Sequence, residues 1–225
     1  MSNQLPLGIE LKPRVDFSGF IIGRNGEAVS RLRSGQDPSL HLWGETGCGK
    51  SHLLQAACAQ VSDTGGACAY LPLHTDNLPP MALEGLEVMD LVCLDDLQQV
   101  AGEPTWERIL FNLFNQLRER NARLLTAATA PPARLPVKLP DLASRLTWGP
   151  CYRLIPLDDK GRLELLIRNA QQRGLELTPE TANFLLQRFP RNIHSLTHLV
   201  EQLDRASLAA QRRLTIPFVR KVLEI

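Results

Sequence analysis

Aromatic side chains are scarce: phenylalanine, tryptophan and tyrosine together make up 5% of the chain. Proteins that grip single-stranded nucleic acid by base stacking need aromatics in a basic groove. This composition offers neither, because the net charge is only +1. No strong direct DNA binding is therefore expected, and a protein partner suits the surface at least as well. Cys48, Cys58, Cys68, Cys93 and Cys151 are odd in number and form no C-x-x-C pair. That spacing indicates neither a disulfide framework nor a zinc site, and unpaired thiols suit a reducing cytosol. The N-terminus lacks a basic segment followed by an apolar one, and no apolar run approaches membrane-spanning length. The expectation is a soluble cytoplasmic protein with no membrane partner. His194 and His198 stand at i, i+4, a spacing that metal sites use. No acid lies between them in the H-E-x-x-H manner and no third ligand is evident, so a surface or packing pair is expected. Internal repeats and low-complexity stretches are missing too.

What is present is enough for a sizeable core. The chain has 225 residues, 44% of them hydrophobic and 22% charged, which suits one α/β domain followed by a smaller one. Its most informative stretch is Gly44-Glu45-Thr46-Gly47-Cys48-Gly49-Lys50-Ser51, which fits G-x-x-x-x-G-K-[ST] at every fixed position. The stretch follows the apolar run SLHLW and precedes HLLQAACAQV, which starts at His52. Strand, loop and helix is the context this motif needs. The glycines let the backbone turn tightly and aim amide N–H groups at phosphate oxygens. The helix beginning near Lys50 points its positive end at the same anion. Lys50 would reach the β- and γ-phosphates, and the Ser51 hydroxyl would ligate Mg²⁺. Cys48 has two readings: a thiol acidified by Lys50 and the helix end, or simple filling of a variable loop position.

Strand and helix patterns alternate from about residue 40 to 156, the mark of a parallel, doubly wound sheet. ACAYLPL is a second strand, and residues 72–87, with three prolines, read as loop plus a short helix. VMDLVCLDD is an apolar run ending in Asp95 and Asp96, as expected for a strand buried on both faces. By position Asp95 would hold Mg²⁺, and Asp96 could orient or deprotonate water. An amphipathic helix follows from Pro104. RLLTAAT is the next strand, with Thr126 and Thr129 at the end that lines the crevice in such sheets. LPDLASRL is a short helix carrying Arg145, and CYRLIPL is a last strand. From Asp158 onward four helical segments remain, two of them with a threonine near a proline at the start, Thr178-Pro179 and Thr215 with Pro217. The expected organisation is a flexible tail over residues 1–15, an αβα unit over 16–156 and a helical unit over 157–225. In the tail, Gln4-Leu5-Pro6-Leu7-Gly8-Ile9 spaces apolar residues on a proline-stiffened segment, the form a peptide takes in a hydrophobic groove. Before the strand that leads into the loop, Phe17, Phe20 and Ile22 would either wall a nucleobase or pack on the sheet edge; spacing leaves both open.

With these residues in hand, the pattern resembles the AAA+ family, and within it the DnaA-related branch and its regulatory members. The resemblance covers nearly the whole chain. It implies a five-stranded parallel αβα sheet domain followed by a small all-α lid. FSGFIIGRN is similar to the branch's adenine pocket, which would place Phe17, Ile21, Ile22 and Asn25 there. GETGCGKS would be Walker A and LVCLDD Walker B. LPDLASRLTWG is similar to the box that carries an arginine finger, which makes Arg145 the finger. FPRNIHSL resembles the start of sensor 2, at Arg191. QLPLGI resembles a motif that binds the DNA polymerase III sliding clamp. The implied ligands are ADP or ATP with Mg²⁺, and the implied partners are DnaA and the clamp, with a homodimer or higher homo-oligomer compatible. The implied role is negative regulation of replication initiation, by hydrolysis of DnaA-bound ATP. Two departures speak against efficient self-hydrolysis: Asp95-Asp96 stands where most of the family has Asp-Glu, and Ala128-Thr129-Ala130 replaces a Ser/Thr-Asp-Arg run. Ending at Ile225 after the lid, the chain is expected to lack a DNA-reading module. A DnaC-like helicase loader and a P-loop kinase of small molecules are the alternative readings.

Overall fold

A computed structural model describes residues 15–190, 192–210 and 214–224. Five parallel strands form the sheet: β1 (Ser39–Trp43), β2 (Cys68–Pro72), β3 (Leu91–Asp95), β4 (Arg123–Ala128) and β5 (Cys151–Arg153), in the order β2-β3-β4-β1-β5. Residue alternation along the strands explains the two layers, since successive side chains point to opposite faces. Leu40, Leu42, Leu91, Cys93, Leu125 and Ala127 pack on one side, against α1 (Gly26–Ser34) and α2 (Lys50–Asp63). Val92, Leu94, Leu124 and Ala128 face the other, against α3 (Pro104–Glu119) and α4 (Pro140–Leu146). All five residues of β3 are buried, as its unbroken apolar run requires.

The last strand is shorter than CYRLIPL suggests, for a hydrogen-bonding reason. Leu154 N–H still donates to Trp43 O at 2.7 Å. Beyond it the side chain of Asn25 takes over both backbone groups of Ile155. Its Oδ1 accepts from Ile155 N at 2.8 Å and its Nδ2 donates to Ile155 O at 2.9 Å. Pro156 has no N–H to offer, so the ladder stops. Where a short helix is expected within residues 72–87, the chain forms single turns of 3-10 helix at Pro80–Leu83 and, running one residue further, Leu86–Val88, with two further turns at Leu97–Gln99 and Pro132–Arg134.

A second core lies in the C-terminal helices α5 (Asp159–Gln172), α6 (Pro179–Arg188), α7 (Ile193–Ala210) and α8 (Ile216–Leu223). Leu166, Leu185, Leu196, Leu203 and Val219 are at its centre. The starts of these helices follow local chemistry: Asp158, Thr178 and Thr215 accept from Gly161 N, Thr181 N and Phe218 N, which satisfies a free amide of each first turn. Among the described residues no helix is long and apolar enough to cross a membrane.

One buried charge ties the two sides of the α3–α4 layer together. Glu107 is 1% exposed. Its carboxylate accepts from Gly102 N at 2.7 Å, Lys138 N at 2.9 Å and Leu139 N at 2.7 Å. Those amides belong to the turn before α3 and the chain entering α4, so Glu107 fixes the start of the helix that carries Arg145. Glu107→Ala should leave three amides without this acceptor and lower unfolding free energy by about 2–4 kcal/mol. Urea denaturation of the two proteins measures the difference.

Candidate functional site

The loop between β1 and α2 is shaped by contacts that only glycine permits at two positions. Gly44 has φ 151°, and a Cβ there would lie 2.7 Å from the Leu154 carbonyl oxygen. Gly49 has φ 102°, and a Cβ would meet the Phe20 ring at 2.6 Å. Lys50, 6% exposed, begins α2. Its ammonium curls back and donates to Gly44 O at 2.9 Å and Glu45 O at 3.0 Å. Cys48 is buried, and burial pushes its thiol pKa up against the opposing pull of Lys50. Space filling rather than an acidified thiol is therefore the reading that fits.

Above the loop opens a cavity of about 430 Å³, within the range of small-ligand pockets. Thr46, Gly47, Cys48, Gly49, Lys50, Ser51, His52 and Asp96 line one side, and Ile21 lines it from the segment before α1. Phe20 lines it as well, and five lining residues lie outside the set expected from sequence: Gly19, Leu157, Leu165, Ile193 and Thr197. The last four bring the C-terminal helices over the loop. His52 donates through Nε2 to Asp16 O at 2.8 Å and stands 5.5 Å from the Phe20 ring centroid. Burial holds its pKa below the usual histidine value. Other expected residues lie elsewhere. Phe17 is buried in the core, with the Arg33 guanidinium 5.2 Å from its ring centroid. Ile22 is exposed, and Asn25 is occupied with Ile155. Arg191 and Gln4–Ile9 lie outside the described residues, as does the His194 side chain.

At the end of β3 the two carboxylates have different surroundings. Asp95 is 1% exposed; its Oδ1 accepts from Asp96 N at 2.9 Å and its Oδ2 from the Tyr70 hydroxyl at 2.9 Å. Burial first, and the Asp95 charge second, push the Tyr70 pKa up to about 12. Asp96 has a left-handed backbone, φ 57°. One of its oxygens is 2.8 Å from His74 Nδ1, and the other accepts from Gln98 Nε2 at 2.9 Å. Gln98 Oε1 in turn accepts from Thr129 N at 3.1 Å. The donor set fits a phosphate with a hard cation: glycine-shaped amides and Lys50 for the anion, Ser51 and Asp95 oxygens for the metal. Among the described residues no three His, Cys, Asp or Glu side chains form a metal cluster of their own, so phosphate and water oxygens would complete the shell.

Arg145 does not line this cavity. Its guanidinium lies 4.5 Å from the Trp148 ring centroid, 5.4 Å from that of Phe111 and 5.8 Å from that of Phe114. Arg118 stacks on the same indole, also at 4.5 Å. Below Arg145 is a small recess walled by Ser39, His41, Leu124, Thr126 and Gly149. Ser39 and Leu124 belong to the beginnings of β1 and β4, whereas the phosphate loop follows the last residue of β1. A five-residue strand spans about 13 Å, so Arg145 and the loop sit at opposite ends of the sheet.

Segments of the chain match two family descriptions. Residues 159–223 match "Hda, lid domain", and residues 81–152 match the bacterial DnaA ATPase domain. Among solved structures, domain III of Thermotoga maritima DnaA superposes with a TM-score of 0.80 at 20% identity, over 95% of this chain and 97% of that one. AMPPCP-bound DnaA from Aquifex aeolicus gives 0.71 at 24% identity, over 88% and 67%. The Thermotoga maritima RuvB branch migration motor gives 0.63 at 15%, over 87% and 64%. These likenesses establish the fold: a five-stranded parallel sheet and helical lid of the DnaA and RuvB type.

His41 supplies a pH test of the architecture beneath Arg145. It is 2% exposed, with Nδ1 2.7 Å from Thr126 Oγ1 and Nε2 3.2 Å from Ala130 O. Nε2–H donates to the carbonyl, and in the neutral ring Nδ1 accepts the threonine proton. Burial lowers its pKa to about 4. The unfolded chain then binds the extra proton first. His41 stability is fully present above about pH 6.5 and is lost as pH falls toward 4, by about 3 kcal/mol in total. His41→Gln should flatten that part of the stability–pH curve, read from chemical denaturation at several pH values.

Proposed function

Because the chain joins a DnaA-type AAA+ core to an Hda-type lid, we propose that it is a nucleotide-binding regulator that inactivates the DnaA initiator. In this reading it promotes hydrolysis of DnaA-bound ATP while held on the DNA-loaded sliding clamp. The observation that carries the reading is the position of Arg145. Set at the far end of β1 from its own loop, the guanidinium cannot reach a phosphate held by Gly44–Ser51 in the same chain. It is half-buried beside an exposed Trp148, where a neighbouring protein has access to it. An arginine supplied in trans stabilises charge on the transferring phosphoryl group and is worth about 10³–10⁵ in rate.

The chain's own nucleotide, ADP or ATP with Mg²⁺, serves in this reading to fix the lid. The loop amides and Lys50 hold its phosphates, Ser51 and Asp95 its cation, and Ile21 with Phe20 the side nearest its base. Leu157, Leu165, Ile193 and Thr197 close over it, and Arg191 is the sensor 2 candidate. Intrinsic hydrolysis is weak in this scheme, because both oxygens of Asp96 are already engaged by His74 and Gln98. A carboxylate so occupied is poorly placed to take a proton from water. The three parts of the chain divide the work: residues 1–15 tether, 16–156 bind nucleotide and present Arg145, and 157–225 respond to the nucleotide.

Arg145→Ala should abolish stimulated turnover of DnaA-bound ATP on clamp-loaded DNA, by about a thousandfold or more, with nucleotide and clamp binding retained. Unchanged turnover would remove Arg145 from this role. Gln4→Ala combined with Leu5→Ala should lose the clamp in a pull-down while the protein still melts as the wild type does. Retained clamp binding would leave residues 4–9 without the tethering function.

A further inference from the structure

The Tyr70 hydroxyl holds one oxygen of Asp95, the carboxylate that a nucleotide-bound cation would use. Tyr70 stands on β2 opposite Cys93 of β3, and the next pair but one in that register is Pro72 with Asp95. The ring packs against the core between the sheet and α2, which directs its hydroxyl toward the end of β3. There it donates to Asp95 Oδ2 at 2.9 Å. Asp95 Oδ1 is already taken by Asp96 N at 2.9 Å. Both oxygens of the buried carboxylate therefore have partners within the chain.

We propose that Tyr70 is a specificity-determining residue of this site, whose hydroxyl competes with the cation for Asp95 and so makes nucleotide binding nearly independent of a divalent ion. The inference rests on the reading that the cavity takes a nucleotide. A hydrogen bond from a neutral hydroxyl to a carboxylate is one of the stronger kinds in proteins. A cation must break it, or share the carboxylate with it, before Asp95 contributes to the ion's shell. Lys50 and the loop amides carry the phosphate charge without that help. Removing only the hydroxyl leaves the ring packed in place and returns Asp95 Oδ2 to the cation.

The experiment is a titration of the full chain with a fluorescent ADP analogue, in excess Mg²⁺ and again in EDTA, for the wild type and Tyr70→Phe. The wild-type affinities should agree within about threefold. In Tyr70→Phe the Mg²⁺-to-EDTA ratio should rise by about tenfold, a coupling of about 1.4 kcal/mol. A wild type that loses the nucleotide in EDTA overturns the proposal, and that arm needs no variant. An equal ratio in the two proteins, with binding intact, also overturns it while leaving nucleotide binding standing. Binding by neither protein in either buffer removes the nucleotide reading itself, and this proposal with it.

Discussion

Parallel pairing of β1 with β4 on one side and β5 on the other sets the distance on which the rest depends. Trp43 is followed directly by the loop that begins at Gly44, and Ser39 sits beside Arg145 at the other end. The strand between them is buried and held by two ladders, so neither end can approach the other without breaking the sheet. The separation is a consequence of hydrophobic alternation: Leu40 and Leu42 face α2, while His41 faces the recess under Arg145. A change of register by one residue would exchange those faces.

Around the loop the charged side chains already have partners inside the protein. Lys50 donates to loop carbonyls, Asp95 accepts from Tyr70 and its neighbour's amide, and Asp96 is bracketed by His74 and Gln98. Such a site suits an anion, for which the Lys50 ammonium would exchange its loop carbonyls for phosphate oxygens. For hydrolysis the same partnerships work the other way: they consume the acceptors that a water molecule or a cation would use. Arg145 is treated differently. Its charge rests on aromatic faces, an interaction that holds the guanidinium in place without neutralising it. In the proposed role this leaves it available to a phosphate brought by another molecule.

Much of the frame was legible in the residues. Continuous apolar runs such as LVCLD and the 3.6-residue pattern after Pro104 correspond to β3 and α3, because burial on two faces or one leaves that mark directly. The glycines at 44 and 49 announced a loop that no Cβ fits. Phe20 and Phe17 were harder to separate: both lie in a turn-rich segment with no period, and only the approach of Gly49 and of Arg33 decides which ring faces the cavity. Nothing local marks Glu107 as buried, since two of its three amide partners lie about thirty residues away. Tyr70 carried no signal either, because its contact with Asp95 depends on the β2–β3 register. The lid residues Leu157, Leu165, Ile193 and Thr197 look like ordinary helix and loop positions until the C-terminal helices fold over the loop.

In the proposed role this chain grips one nucleotide and acts on another. A single-turnover measurement with the label in only one place tests it most directly. DnaA is loaded with γ-labelled ATP, and this protein with unlabelled ADP, before the two are mixed on clamp-loaded DNA. The account predicts rapid release of labelled phosphate from DnaA. With the label placed instead on ATP bound to this chain, release should stay near the uncatalysed background. Fast release from this chain's own site, or none from DnaA, would contradict the account.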